Sequence, residues 1–342
     1  MSGTDNGRGA DAPPGGSSPA PGDSSLKDAL REAERILATA GIATPRADAE
    51  LLAGHLMGLG RAEVRAAEIL GRAAPANLMD LVDERARRIP LQHLTGRAPF
   101  RGVDLAVGPG VFVPRPETES VAQVAIDEAN RLVAAGRQPL VVDLCTGSGA
   151  IALAVAAEVP AARVHAVEVD PLAHAWAERN AREHARSPVT LHLADARSAL
   201  AELDGQVDVV VSNPPYVPPD AVPVDPEVRD HDPRIALYGG GVDGLDVPRG
   251  VVLAAARLLA PGGLLVMEHA DVQAEAVRRL ATASGAFTEV STRADLGGRD
   301  RMMVARRASD APSPPTDPVT AVDRDVRGCA APGDRDVAHS PS

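Results

Sequence analysis

The sequence predicts an α/β fold: a Rossmann-like, parallel, doubly wound sheet preceded by a small all-helical domain. Three observations point there. From about Glu117 onward, short β-branched runs alternate with helix-length stretches, the pattern of strands joined by crossover helices. From Ser25 to about Arg88, apolar residues recur at helical spacing with no strand-like run. One strand-like run, Leu140–Leu144, leads directly into the glycine-rich turn Cys145-Thr146-Gly147-Ser148-Gly149.

The elements follow in order. Residues 1–24 and 308–342 are rich in Pro, Gly, Asp and Ser and poor in large apolar residues, so both are expected to be disordered tails. Ser25 precedes Leu26, Leu30, Ala33 and Leu37 at three-to-four spacing, a capped amphipathic helix. Thr44-Pro45 opens a second helix that carries Ala49, Leu52, Ala53 and Leu56 on one face. Helical stretches at 62–68 and 76–88 complete a bundle, giving a helical, substrate-docking domain over 25–89. Residues 90–113 read as a β-hairpin connector, with strand-like pieces at 91–96 and 100–105 between Gly and Pro. The α/β domain then spans 114–307. Its expected helices lie at 122–135, 150–159, 173–184, 251–259 and 272–283. Its expected strands are Leu140–Leu144, 164–169, 190–193, Val207–Ser212, 263–268, 287–293 and 301–305.

Composition narrows the function. A net charge of −12 over 342 residues speaks against a surface that tracks phosphates. The aromatic residues Phe100, Phe112, Trp176, Tyr216, Tyr238 and Phe287 are too few and too scattered for a base-stacking platform. Cys145 and Cys329 make no disulfide framework, and the histidines show no metal-ligand spacing, so no metal is expected. The longest apolar runs have strand length, and residues 1–24 lack the apolar core of a secretory signal. A cytoplasmic protein is the expectation.

Ligands of such sheets bind beyond the carboxyl ends of the strands. Cys145, Thr146, Gly147, Ser148 and Gly149 are therefore candidates to line a cofactor. Glu168 ends the next strand with a carboxylate that can accept ribose hydroxyls, with Asp170 a rival for the role. Asp195, followed by Ala196, ends the third and can accept from an adenine amino group. Gly147-x-Gly149-x-x-Ala152 also fits a dinucleotide fingerprint, which leaves a hydride-transfer enzyme open. Two features favour a methyl donor. Asp143 at the strand end is a poor neighbour for a pyrophosphate, and Asn213-Pro214-Pro215-Tyr216 has no place in hydride transfer.

That tetrad follows Val207–Ser212 at a strand end. Two prolines remove two backbone donors and fix φ, making a stiff corner. A stiff corner holds the Asn213 amide and the nearby carbonyls in fixed directions, suited to accepting both N–H bonds of a planar –NH2 group. Asn213, Pro214 and Tyr216 are thus the candidate catalytic residues, and Asn213 to Tyr216, Pro215 included, the candidate substrate cradle. Arg115 lies between two prolines and is either a lid or cofactor-side contact or a surface arginine. His93 and His231 read as structural, and Cys145 as a small loop residue without a paired base.

Taken together, these residues resemble the PrmC/HemK family, the protein-(glutamine-N5) methyltransferases of peptide chain release factors. The likeness covers about 26–307. It includes Arg88-Ile89-Pro90-Leu91-Gln92-His93-Leu94-Thr95-Gly96, Val113-Pro114-Arg115-Pro116-Glu117-Thr118-Glu119, the Asp143 to Gly149 loop and the Asn213 tetrad. It continues through Glu227 to Pro233, Gly240 to Gly244, Pro261-Gly262-Gly263 and Asp295 to Arg301. The resemblance implies a seven-stranded class I methyltransferase sheet and S-adenosyl-L-methionine as cofactor. Residues 145–149, Glu168, Asp195, Ala196 and Asn213 would border that cofactor. It implies a target glutamine in the Gly-Gly-Gln motif of a release factor, held by Asn213 to Tyr216. The partner would be the release factor, with no direct nucleic-acid or membrane contact, and the enzyme a monomer. Where the family often has Glu-x-Gly, this chain has Glu268-His269-Ala270, at a strand end expected to be peripheral to the chemistry. Two other targets carry the same –NH2 chemistry: a glutamine of a large-subunit ribosomal protein, and adenine N6 of DNA. A donor-binding protein without turnover is the remaining alternative.

Overall fold

A computed structural model describes residues 24–309, and these divide into two units, one ending at Thr95 and one beginning at Gly96. Both expected tails, and Cys329, lie outside the described residues except for positions 24, 308 and 309.

The first unit is all helical: α1 (Leu26–Thr39), α2 (Pro45–Met57), α3 (Arg61–Ile69), α4 (Leu78–Ala86) and α5 (Leu91–Thr95). Ser25 caps α1 by accepting the Asp28 N–H at 3.1 Å. Leu26, Leu30, Ala33 and Leu37 form its buried stripe. Pro45 stands in the first turn of α2, and Gly58, at φ 64°, ends that helix in the left-handed region. The expected strand at 91–96 is the helix α5. Pro90 accepts the N–H groups of His93 and Leu94, and Leu91 and Leu94 both pack on the helical core at i,i+3 spacing. The core also holds two carboxylates: Asp48 pairs with Arg85 at 2.8 Å, and Glu50 is gripped by Arg46, Arg61 and Arg65 at 2.8–3.0 Å. Those guanidiniums hold Glu50 near pKa 2 against the opposing pull of burial.

The second unit opens with an antiparallel hairpin of β1 (Arg97–Phe100) and β2 (Val103–Ala106), within the expected 90–113 but shorter. The sheet strands are β3 (Leu140–Leu144), β4 (Arg163–Glu168), β5 (Val189–Leu193), β6 (Val207–Ser212), β7 (Leu259–Glu268), β8 (Phe287–Ala294) and β9 (Asp300–Arg307). Their order is β5-β4-β3-β6-β7-β9-β8. All neighbours from β5 through β7 run parallel, and β9 runs antiparallel to both β7 and β8. The reversal has a local cause. Residues 295–299 are too short for a crossover, and Asp295 ties the turn by accepting the Gly297 and Arg299 N–H groups.

Helices cover both sheet faces: α6 (Thr118–Ala134), α7 (Ala150–Glu158) and α8 (Pro171–His184) on one, α11 (Asp246–Leu258) and α12 (Ala274–Ala283) on the other. Short helices α9 (Pro226–His231) and α10 (Arg234–Leu237) follow β6. Strand alternation feeds both cores: Val141, Val209 and Val211 face α6 to α8, while Leu140, Val142 and Val210 face α11 and α12. The strand order reverses at β3, which lies between β4 and β6. Its carboxyl end therefore opens a crevice beside that of β6.

Candidate active site

That crevice is a cavity of about 610 Å³, within the range of small-molecule sites. Its wall includes Cys145 to Ser148, Glu168, Asp195, Ala196 and all four residues of the Asn213 tetrad. Two chain segments separated by α7, β4, α8, β5 and β6 thus share one rim.

The loop after β3 is bent by positive φ at Cys145 (62°), Gly147 (58°) and Gly149 (85°). It is pinned from three sides. Thr146 N–H donates to the Val167 carbonyl at 2.9 Å. Gly147 N–H donates to Glu168 Oε2 at 2.8 Å. The buried Asn180 donates to the Ser148 carbonyl at 2.9 Å while exchanging hydrogen bonds with Ala106. Gly149 lies outside the cavity wall. An added Cβ there would meet Leu153 and Ala177 at 3.3 and 3.6 Å, so this glycine lets α7 start close to α8.

Asp143 is fully buried behind the loop rather than facing a ligand. Its Oδ2 accepts from Thr146 Oγ1 at 2.6 Å and from Ala152 N–H at 3.1 Å, and burial lifts its carboxyl to about pKa 7. Burial also pushes the Cys145 thiol up, which suits a packed loop residue and not a nucleophile. Glu168 accepts three backbone N–H groups, from Gly147, Val169 and Asp170. A carboxylate offers about four acceptor positions, so capacity remains on Oε2 for a hydroxyl. Asp170 instead caps α8 by accepting the Leu172 N–H. Asp195 is clasped by the Arg197 guanidinium, which holds its carboxyl below the usual range.

The tetrad is fixed from behind. Ser212 Oγ donates to the Leu144 carbonyl at 2.7 Å, locking the two strand ends together. Gln273 donates to the Tyr216 carbonyl at 2.8 Å. Glycines let the 239–244 segment press against the corner: a Cβ on Gly244 would sit 2.4 Å from Tyr216 O, and one on Gly239 2.6 Å from Pro215 O. The strand end at Glu268, expected to be peripheral, is not. Glu268 accepts from Thr118 Oγ1 at 2.8 Å and from the Tyr216 hydroxyl at 3.2 Å. Thr118 Oγ1 in turn accepts Asn213 Nδ2–H at 3.3 Å. Burial raises Glu268 to about pKa 7 and pushes the Tyr216 phenol up. Glu268 carried the same signal that singled out Glu168, a carboxylate ending an apolar strand on this rim. Asn180 and Gln273 lie in helices, where nothing in the sequence marks them, and Thr118 stands in the Val113 to Glu119 motif with no role attached to it.

Arg115 lines the cavity, donating to Asp232 Oδ2 at 2.6 Å with its guanidinium 5.1 Å from the Phe112 ring centre. It links the segment before α6 to the segment after α9. His231 sits in the last turn of α9.

The residues present fit a nucleoside-bearing sulfonium. Gly147 has no atom within 4 Å of where a Cβ would stand, so the backbone there is open to a ligand. Carboxylates at the ends of two successive strands face the same space. Among the described residues no cluster could hold a metal ion, and no helix is long and apolar enough to cross a membrane.

Comparison with known proteins agrees with this geometry. Residues 28–96 match the PrmC N-terminal domain family and residues 124–225 the methyltransferase small domain family. The chain is 46% identical over 295 residues to a release factor glutamine methyltransferase of Bifidobacterium longum, covering 82% of this chain and 99% of that one. It is 49% identical over 280 residues to that of Streptomyces coelicolor, covering 82% and 97%. It is 49% identical over 284 residues to that of Mycolicibacterium smegmatis, covering 82% and 98%. With the tetrad, the glycine-rich loop and both matched domains in place, the chain belongs to the release factor glutamine methyltransferase family.

Proposed function

We propose that the protein transfers a methyl group from S-adenosyl-L-methionine to the side-chain amide N5 of the glutamine in the Gly-Gly-Gln motif of peptide chain release factors. The observation that carries this is the shared cavity, with the glycine-rich loop and the Asn213 corner on one wall. When bound, the cofactor supplies an electrophilic methyl: the N–C bond forms as the S–C bond breaks, and sulfur keeps the electron pair as a thioether.

The chain's own work is to place the nucleophile. An amide nitrogen is weakly nucleophilic because its lone pair is delocalised into the carbonyl. The Asn213 side-chain oxygen and the Pro214 carbonyl each accept one N–H of the target. Together they orient the nitrogen and favour a pyramidal geometry. Alignment of this kind supplies up to about 7–11 kcal/mol. Tyr216 packs on the glutamine chain, and the surplus proton leaves to water. Cys145 to Ser148 line the cofactor, Glu168 accepts from its ribose, and Asp195 with Ala196 border its adenine. The helical unit, 25–89 in the sequence reading, docks the release factor away from the glutamine loop. The enzyme works in the cytoplasm, as a monomer, without direct contact to nucleic acid.

The test is incubation with purified release factor and labelled donor, followed by peptide mass spectrometry. A gain of one methyl on the Gly-Gly-Gln peptide is expected. Label in duplex DNA or in a large-subunit ribosomal protein, with none in release factor, would overturn this reading.

A further inference from the structure

We propose that Glu268, acting through the Thr118 hydroxyl, is a positioning residue that sets which end of the Asn213 amide faces the target. This rests on the amide-methylation reading above. An asparagine side chain has a donating and an accepting end of nearly the same shape, related by a half-turn. Only the accepting end can receive an N–H of a substrate –NH2 group. Something must therefore prevent the half-turn, and Pro214 and Pro215 fix only the backbone.

The hydrogen-bond chain supplies it. A hydroxyl has one proton to give. Thr118 gives its proton to Glu268 Oε2 at 2.8 Å, so it presents only lone pairs to Asn213. The group facing it at 3.3 Å is the Nδ2 amine, which leaves Oδ1 at the other end of the amide. The second carboxylate oxygen accepts from the Tyr216 hydroxyl at 3.2 Å. Both oxygens of Glu268 thus act as acceptors, the behaviour of an ionised carboxylate. Glu268 is 2% exposed and does not line the cavity, so its carboxylate depends on these protein partners.

Protonation would undo the arrangement. A neutral Glu268 can donate to Thr118, freeing the Thr118 proton for Asn213 and admitting the half-turned amide. Burial sets this titration near pH 7. Thr118 and Glu117 at the start of α6, Tyr216 in the tetrad and Arg301 on β9 are the groups facing Glu268. Burial, and secondarily the Glu117 charge, raise its pKa, while Thr118, Arg301 and Tyr216 lower it. Arg301 is itself fixed by Asp295 at 3.1 Å.

The experiment is steady-state methylation of intact release factor between about pH 6 and about pH 9, spanning that titration. Glu268→Gln, whose amide can donate to Thr118, should lower kcat by about 10- to 100-fold, the usual worth of a partner that orients a reacting group. Donor affinity and the KM for release factor should change little. Wild-type kcat should fall below about pH 7 and the Glu268→Gln profile should be flat there. Thr118→Val should match Glu268→Gln, Thr118→Ser should restore most of that loss, and the double variant should be no worse than the poorer single one. Should Glu268→Gln not fold, the Thr118→Val and Thr118→Ser pair decides the matter alone. An active wild type whose kcat and acid limb survive Glu268→Gln or Thr118→Val overturns this proposal only. A wild type that methylates no release factor overturns the amide-methylation reading, and this inference with it.

Discussion

Asn213 has two faces, one toward the cavity and one toward Thr118. Removing the side chain should cost turnover and spare the cofactor. In Asn213→Ala, kcat should fall about 10²–10³-fold, the scale of deleting one well-placed polar group, while calorimetric donor affinity stays near wild type. Unchanged kcat would refute the positioning role. Tyr216 makes a subtler point, because its hydroxyl stabilises ionised Glu268. Losing that donor in Tyr216→Phe raises the Glu268 pKa, so the acid limb of kcat should move to higher pH. A shift to lower pH would contradict the hydrogen-bond assignment. At this scale the sequence showed the cavity-facing residues and hid their supports. Asn213, Glu168 and the glycine-rich loop stand at strand ends, where local pattern and topology coincide. Thr118 and Gln273 act from helices distant in sequence, and only the packed sheet brings them to the corner.

At the scale of elements, strands and helices with a full period of apolar residues were legible. Leu140–Leu144 and Val207–Ser212 occur with the expected ends, because each is a run of β-formers closed by a loop or a Pro corner. The helix α5 stands where a strand is expected because five residues between Pro and Gly are too few to establish a period, although its two leucines, three apart, fit only the helical one. The reversal of β9 was equally invisible in strand composition, since it follows from the length of the turn. The 239–244 segment carries the sharpest element-level prediction. Gly244 combines φ of +76° with a Cβ position 2.4 Å from Tyr216 O. Gly244→Ala must shift one of the two backbones, costing about 1–3 kcal/mol by the usual scale of strained sites. It should also lower methylation by moving the tetrad, measurable as a drop in kcat beside a lower Tm. Wild-type activity in that variant would show that the corner is not held from this side.

Across the molecule, buried carboxylates tie stability to pH. Burial raises Asp143 from its ordinary 3.8 to about 7. The native state therefore keeps a proton that the unfolded chain has released. The contribution is fully present below about pH 4 and lost as pH rises through about 7. Asp143→Asn removes this term, so the Tm advantage of wild type over the variant should grow as pH falls from about 8 to about 5. A difference that is flat with pH would contradict the burial argument. The acidic balance of −12, the few scattered aromatics and the bundle-then-sheet order are the whole-chain features that point toward a protein target. The most direct measurement of the central claim is a crystal structure with S-adenosylhomocysteine and a glutamine-containing release factor fragment. The target nitrogen should lie within hydrogen-bonding distance of both Asn213 Oδ1 and the Pro214 carbonyl. A target amide that presents its oxygen to Asn213, or lies away from the tetrad, would contradict it.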